Sequence, residues 1–209
     1  MPPHAATSKD EWRTQFRAYR QGLSGAAYAA RSALICTRTL GLPAVATASV
    51  VHVYWPQTKQ GEVDTRLLIG ALRAQGVAVV LPVVTSYDPD APRMEHRRYA
   101  GSATMKTNRW GIPEPAETDR VSPSDLDVVI VPALGAGRNG HRIGHGSGYY
   151  DAFLRTVDAP KIVLVYEQCL RPSIPAEEHD VPGTHIVTER CSLPVTEKIG
   201  SDCSAVSQT

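Results

Sequence analysis

Between Arg138 and Leu154 the chain reads RNGHRIGHGSGYYDAFL, with glycines at 140, 144, 146 and 148 and a close on Tyr149, Tyr150 and Asp151. Glycine at alternate positions lets successive amides turn inward as an anion-binding nest, to which the start of a following helix would add. Arg142 supplies a planar fork matched to phosphate oxygens, and Ser147 is placed to cap the helix. A carboxylate at Asp151 would repel the same anion unless a metal ion lay between them, which points to Mg²⁺ held together with a nucleotide. The same residues also suit a flexible surface loop ahead of an ordinary helix cap. They match neither a Walker pattern nor the dinucleotide G-x-G-x-x-G.

Three further clusters carry chemistry. In YWPQTKQGEVDT (54–65), Glu62 follows a free-turning glycine near a strand end. Glu62 and Asp64 read either as site carboxylates or as helix-start acids complementing the dipole. Tyr54 and Trp55 would stack on a flat heterocycle or pack in the core. In PAEEHDVPGTH (175–185), His179 beside Asp180 suggests a metal site or a catalytic pair only weakly, because the two are neighbours in a loop. At the N-terminus Lys9 and Arg13, spaced i and i+4, present two cations side by side, and Arg17 and Arg20 extend that face. A solvated helix face is the other reading of that stripe.

The elements that must position these groups follow from periodicity. Trp12, Phe16, Tyr19 and Leu23 form the buried stripe of a helix, and Ser24 caps a second helix with Ala27, Ala30 and Leu34 inward. SVVHVYW (49–55) reads as a buried strand whose His52 is a core histidine with its ring nitrogens satisfied. Asp64 or Thr65 caps the helix TRLLIGALRAQ, Gly76 ends it, and the strand VAVVLP (77–82) follows. MEHRRYA (94–100) is an antiparallel strand, and RWGIPEPAE is a proline-bound loop. LDVVIVP (126–132) is apolar almost throughout, hence buried on both faces. KIVLVYE and THIVTE close the sheet. This alternation predicts an α/β fold with a mostly parallel sheet flanked by helices. The glycine-rich loop then lies beyond the C-terminal end of a buried strand, where open α/β sheets place ligands.

The length of 209 residues predicts a single domain over 1–209, its polar tail frayed after about Lys198. With 22 Lys and Arg against 21 Asp and Glu, bulk charge argues against nucleic acid as a partner. No apolar run approaches the ~20 residues of a membrane span, and the first residues carry no apolar secretory core. Cys36, Cys169, Cys191 and Cys203 are scattered and predict free thiols in a cytoplasmic protein.

Taken in order, these segments resemble the 5-formyltetrahydrofolate cyclo-ligase family, also called 5,10-methenyltetrahydrofolate synthetase. The resemblance runs from Lys9 to about Glu189. It rests on Lys9-x-x-x-Arg13, GEVDT (61–65), LPVV, WGIPEP (110–115), the run 127–154, and YEQ…EEHD (166–180). It implies a fold like the phosphosugar-isomerase and CoA-transferase type of sandwich. It also implies ATP- and Mg²⁺-dependent closure of 5-formyltetrahydrofolate to 5,10-methenyltetrahydrofolate by a monomer, with ADP and phosphate released.

Carried over by position, Lys9, Arg13 and the loop Arg142, Ile143, Gly144, His145, Gly146, Ser147, Gly148, Tyr149 and Tyr150 are implied to bind ATP. Arg142 and Tyr150 are implied to be catalytic. His145 to Tyr149, Glu62, Trp55 and Trp110 are implied to face the folate, and Asp151 and Asp180 the metal. Ala136-Gly137 stands where many members have Phe-Asp, a change expected to enlarge the pocket or alter catalysis. His145 stands where larger cations are frequent, so its charge is expected to depend on pH. Two other readings remain: a diverged module that binds nucleotide or folate without turnover, and, by fold analogy, a phosphosugar isomerase.

Overall fold

Ser8 and Glu11 form a capping box, the Glu11 amide donating to Ser8 Oγ at 3.2 Å and the Ser8 amide to Glu11 Oε2 at 2.7 Å. It fixes the start of α1 (Lys9–Gln21), and so puts Lys9 and Arg13 in its first turns. Ser24 caps α2 (Gly25–Leu40), as expected. The inward face of α2 differs from the expected one: Ser32, Ile35, Cys36 and Thr39 are buried, whereas Leu34 is 49% exposed. The small alanines gave no period to choose between faces. A short α3 (Pro43–Ala46) leads to β1 (Val50–His52).

After β1 come α4 (Arg66–Ala74), β2 (Ala78–Ser86) and β3 (Arg93–Arg98), then the small ribbon β4 (Met105–Thr107) and β5 (Pro113–Pro115). β6 (Val128–Pro132) is followed by a hairpin, β7 (Gly135–Gly137) with β8 (Arg142–Ile143), and by α5 (Tyr149–Leu154). β9 (Lys161–Leu164), β10 (Leu170–Arg171), β11 (His185–Val187) and β12 (Ser192–Pro194) complete the order. The structure is a computed structural model and describes residues 8–88 and 90–195; the expected tail after Lys198, and Cys203, lie outside the described residues.

Seven strands form the main sheet in the order β12-β11-β9-β6-β1-β2-β3. Its five central strands are parallel, and β3 and β12 are antiparallel edges. Period-2 alternation covers both faces: Val128 and Ile130 of β6 join the core with Phe16, Ile35 and Leu68, while Val129 and Val131 join Phe153 and Leu154 on the other side. β1 lies between β2 and β6, so the chain leaves it in opposite directions. That reversal opens a crevice beyond the C-terminal ends of β1 and β6. The Asp127 carboxylate ties these two strands at their other ends, accepting the Ser49 amide at 2.7 Å and the Val50 amide at 2.8 Å.

Candidate active site

One cavity of about 600 Å³ occupies that crevice, and every residue nominated from the sequence for ATP, folate, metal or catalysis lines it. Three elements converge there: α1 from one side, the glycine-rich loop between β8 and α5 from below, and the segment after β1 from the other. Arg13 joins the first two, its Nε donating to Gly144 O at 3.2 Å. Its guanidinium also lies 3.6 Å from where a Cβ on Gly146 would stand. Gly146 and Gly148 have φ of 97° and 71°, a region side-chain-bearing residues rarely adopt, which answers why the loop needs glycine. Ser147 does not cap the helix; Gly148 occupies that position, with no side-chain cap. With only six residues, α5 adds little dipole.

The basic groups are already engaged. Arg142 is buried beside the loop, with Nη1 donating to Val181 O and Nη2 to Asp151 Oδ1, both at 2.7 Å. Asp151 Oδ1 also accepts the Val181 amide at 3.4 Å, and its other oxygen has no donor among the described residues. Lys9 Nζ lies 2.6 Å from Asp180 Oδ2 and 2.9 Å from Glu177 Oε1. Burial opposes charge on both Lys9 and Asp180. The mutual hydrogen bonds and ion pairing outweigh it, raising the ammonium pKa and lowering that of the carboxyl. Among the described residues no three His, Cys, Asp or Glu side chains cluster as a metal centre of their own. The donor chemistry nevertheless fits a nucleotide-bound Mg²⁺, which takes one or two carboxylates and otherwise phosphate and water oxygens.

Glu62 and Asp64 part company. Asp64 accepts the Arg66 amide at 3.2 Å and pairs with the Arg66 side chain at 2.5 Å, so it is the helix-start acid. Glu62 is 3% exposed, lines the cavity and accepts the Gln57 amide at 2.9 Å. Burial raises its pKa, against the pull of Arg20 and that amide. His145 Nε2 stands 4.0 Å from Glu62 Oε1 without a hydrogen bond. Burial and then Arg20, Arg17 and Arg13 push the imidazole pKa down to about 4, so His145 is neutral near pH 7 and its expected pH switch lies far below that. Tyr150 lines the cavity, yet its enclosed hydroxyl has no partner. Burial, then Glu62, drives its pKa up, so it is a hydrogen-bond donor and not a base.

Several expectations change. Arg20, read as part of a solvated face, is 2% exposed and donates to Ala133 O through Nη2. His52 is core, but neither ring nitrogen has a partner; it packs against His96 and Phe153 at 5.1 and 4.8 Å between ring centroids. Ala136 and Gly137 are absent from the cavity wall. Ala136 is fully buried in the core, and a Cβ on Gly137 would fall 2.5 Å from Ile174 N, so neither enlarges the pocket. Glu114 and Glu177 also line the cavity; they stand within WGIPEP and EEHD, where no local pattern sets them apart from surface acids. Cys36, Cys169 and Cys191 are free, as expected.

The model of the 5-formyltetrahydrofolate cyclo-ligase family matches residues 5–189. The 5-formyltetrahydrofolate cyclo-ligase of Escherichia coli K12 is 32% identical over 157 residues, 73% of this chain and 84% of that protein. The mouse protein of the same name is 29% identical over 143 residues, 62% of this chain and 69% of its own. Among solved structures, Aquifex aeolicus 5,10-methenyltetrahydrofolate synthetase superposes with a TM-score of 0.78 at 26% identity, covering 96% of both chains.

Proposed function

The chain belongs to the 5-formyltetrahydrofolate cyclo-ligase family, and on that premise we propose that it closes 5-formyltetrahydrofolate to 5,10-methenyltetrahydrofolate at the expense of ATP. The observation that carries the reading is the convergence of the cationic Lys9–Arg13–Arg142 side and the buried Glu62 on a single cavity at the reversal of strand order. One side suits polyanionic phosphates, the other the amino and ring N–H groups of a pterin. In the reaction the formyl oxygen bonds to the γ-phosphorus as the bond to ADP breaks. The neighbouring folate nitrogen then attacks the formyl carbon, and phosphate departs with the former formyl oxygen while the nitrogen gives its proton to solvent. No protein nucleophile is required, so the chain's work is positioning and charge neutralisation.

Lys9 and Arg13 bind the phosphates from α1, and the glycine loop presents its amides. Tyr150 donates a hydrogen bond to developing negative charge, and Glu62 orients the pterin. Trp55 and Trp110 flank the folate. Asp151 and Asp180 would hold Mg²⁺, whose chemistry there is to neutralise phosphate charge. Arg142 positions Asp151 through the 2.7 Å contact between them. No described helix is long and apolar enough to cross a membrane. Free thiols support a reducing cytoplasmic setting. The decisive stoichiometry is one phosphate released for each methenyltetrahydrofolate formed. Binding of ATP and folate without either product would favour a non-catalytic module.

A further inference from the structure

Arg109, next in the chain to Trp110 of the cavity wall, has no task in the scheme above. It sits within a turn closed by the Gly111 amide donating to Asn108 O at 3.0 Å. Asn108 Oδ1 accepts the amides of Trp110 and Ile112 at 2.9 and 3.0 Å. Its Nδ2 donates to Glu114 Oε1 at 2.8 Å, and that oxygen also accepts the Val84 amide at 3.0 Å. The turn is therefore tied to β2 through Glu114, which fixes the backbone from which Arg109 projects. The guanidinium carbon lies 4.6 Å from the ring centre of Tyr87 and 5.8 Å from that of Trp110. Trp110, 46% exposed, meets Tyr87 and Tyr149 edge-on at 4.7 and 5.8 Å.

A guanidinium lying over aromatic rings spends its π face on them and leaves its N–H edge open for a carboxylate fork. No carboxylate of the described residues forms an ion pair with Arg109. Asp88, beside Tyr87, accepts the Asp90 amide at 3.0 Å instead. The aromatic wall leads from the cavity to this cation, while the phosphate-side cations Lys9 and Arg13 belong to α1.

We infer that Arg109, presented by the Asn108 turn and backed by Tyr87 and Trp110, is the subsite for the carboxylates of the glutamate end of the folate. The inference rests on the folate reading. With the pterin at Glu62, the aryl ring runs along Trp110 and Tyr149 and the glutamate emerges at Arg109.

The test is a titration of 5-formyltetrahydrofolate against 5-formyltetrahydropteroate, which keeps the pterin and aryl ring but lacks glutamate. Wild type and the exposed-site variants Arg109→Gln and Arg109→Lys are compared. Wild type should prefer the glutamate-bearing ligand by about tenfold, the scale of one solvent-accessible charge-assisted contact. Arg109→Gln should erase that ratio and Arg109→Lys retain part of it. An unchanged ratio in Arg109→Gln, or equal weakening of both ligands, overturns the subsite alone. Failure of wild type to bind either ligand overturns the folate reading together with it.

Discussion

Tyr150 illustrates how a single side chain reports function through what it lacks. A buried hydroxyl without a partner destabilises the fold, by an amount on the order of 1 kcal/mol, so packing alone gives no reason to retain it. Tyr150→Phe is therefore expected to leave the unfolding free energy unchanged or slightly higher, while lowering single-turnover closure by about a hundredfold, the scale of one lost transition-state donor. Parallel denaturation and single-turnover measurements check it, and equal losses in both would make the hydroxyl structural. At this scale the sequence was most legible where chemistry and glycine geometry coincide: Arg142 to Asp151 all reach the cavity. It was least legible for Arg20 and His52, whose burial without full hydrogen bonding depends on tertiary packing that no local pattern encodes.

The element that matters most to the site beyond the loop is α1. Phe16 docks it onto the hairpin at Gly135, where an added Cβ would stand 2.2 Å from the ring. Gly135→Ala is expected to cost about 1–3 kcal/mol by overpacking and to displace α1 with Lys9 and Arg13. The apparent affinity for ATP should fall more than that for folate. Denaturation and the two Michaelis constants measure this; an unshifted ATP constant in a destabilised protein would separate α1 docking from phosphate binding. The central strands were visible in sequence as apolar runs rich in β-branched residues, and the helices by their caps and the period of α1. The hairpin β7–β8 and the ribbon β4–β5 were not, since their two or three residues form neither an apolar run nor a period, and the face of α2 was masked by its alanines.

At the scale of the whole molecule, three histidines among the described residues are held unprotonated. Burial, set against the Glu95 charge, takes His96 down to about 4; burial and nearby arginines take His145 to about 4; and burial with His96 lowers His52 well below the usual value. Each has a folded pKa below its unfolded one, so the unfolded chain binds more protons between about pH 4 and 6.5. Stability is then full above about pH 6.5 and falls as pH drops towards 4, by about 1.4 kcal/mol per pH unit for each ring that stays neutral. Unfolding free energies measured from pH 7 to 4.5 should show this slope, reduced by close to one proton in His96→Phe. A flat profile would contradict the burial argument.

The central claim is that one cavity couples ATP to folate ring closure. It is tested most directly by following methenyltetrahydrofolate absorbance at neutral pH with 5-formyltetrahydrofolate, ATP and Mg²⁺, each omitted in turn. Product is expected only when all three are present. No product in the complete mixture, or product that forms equally without ATP, would contradict it.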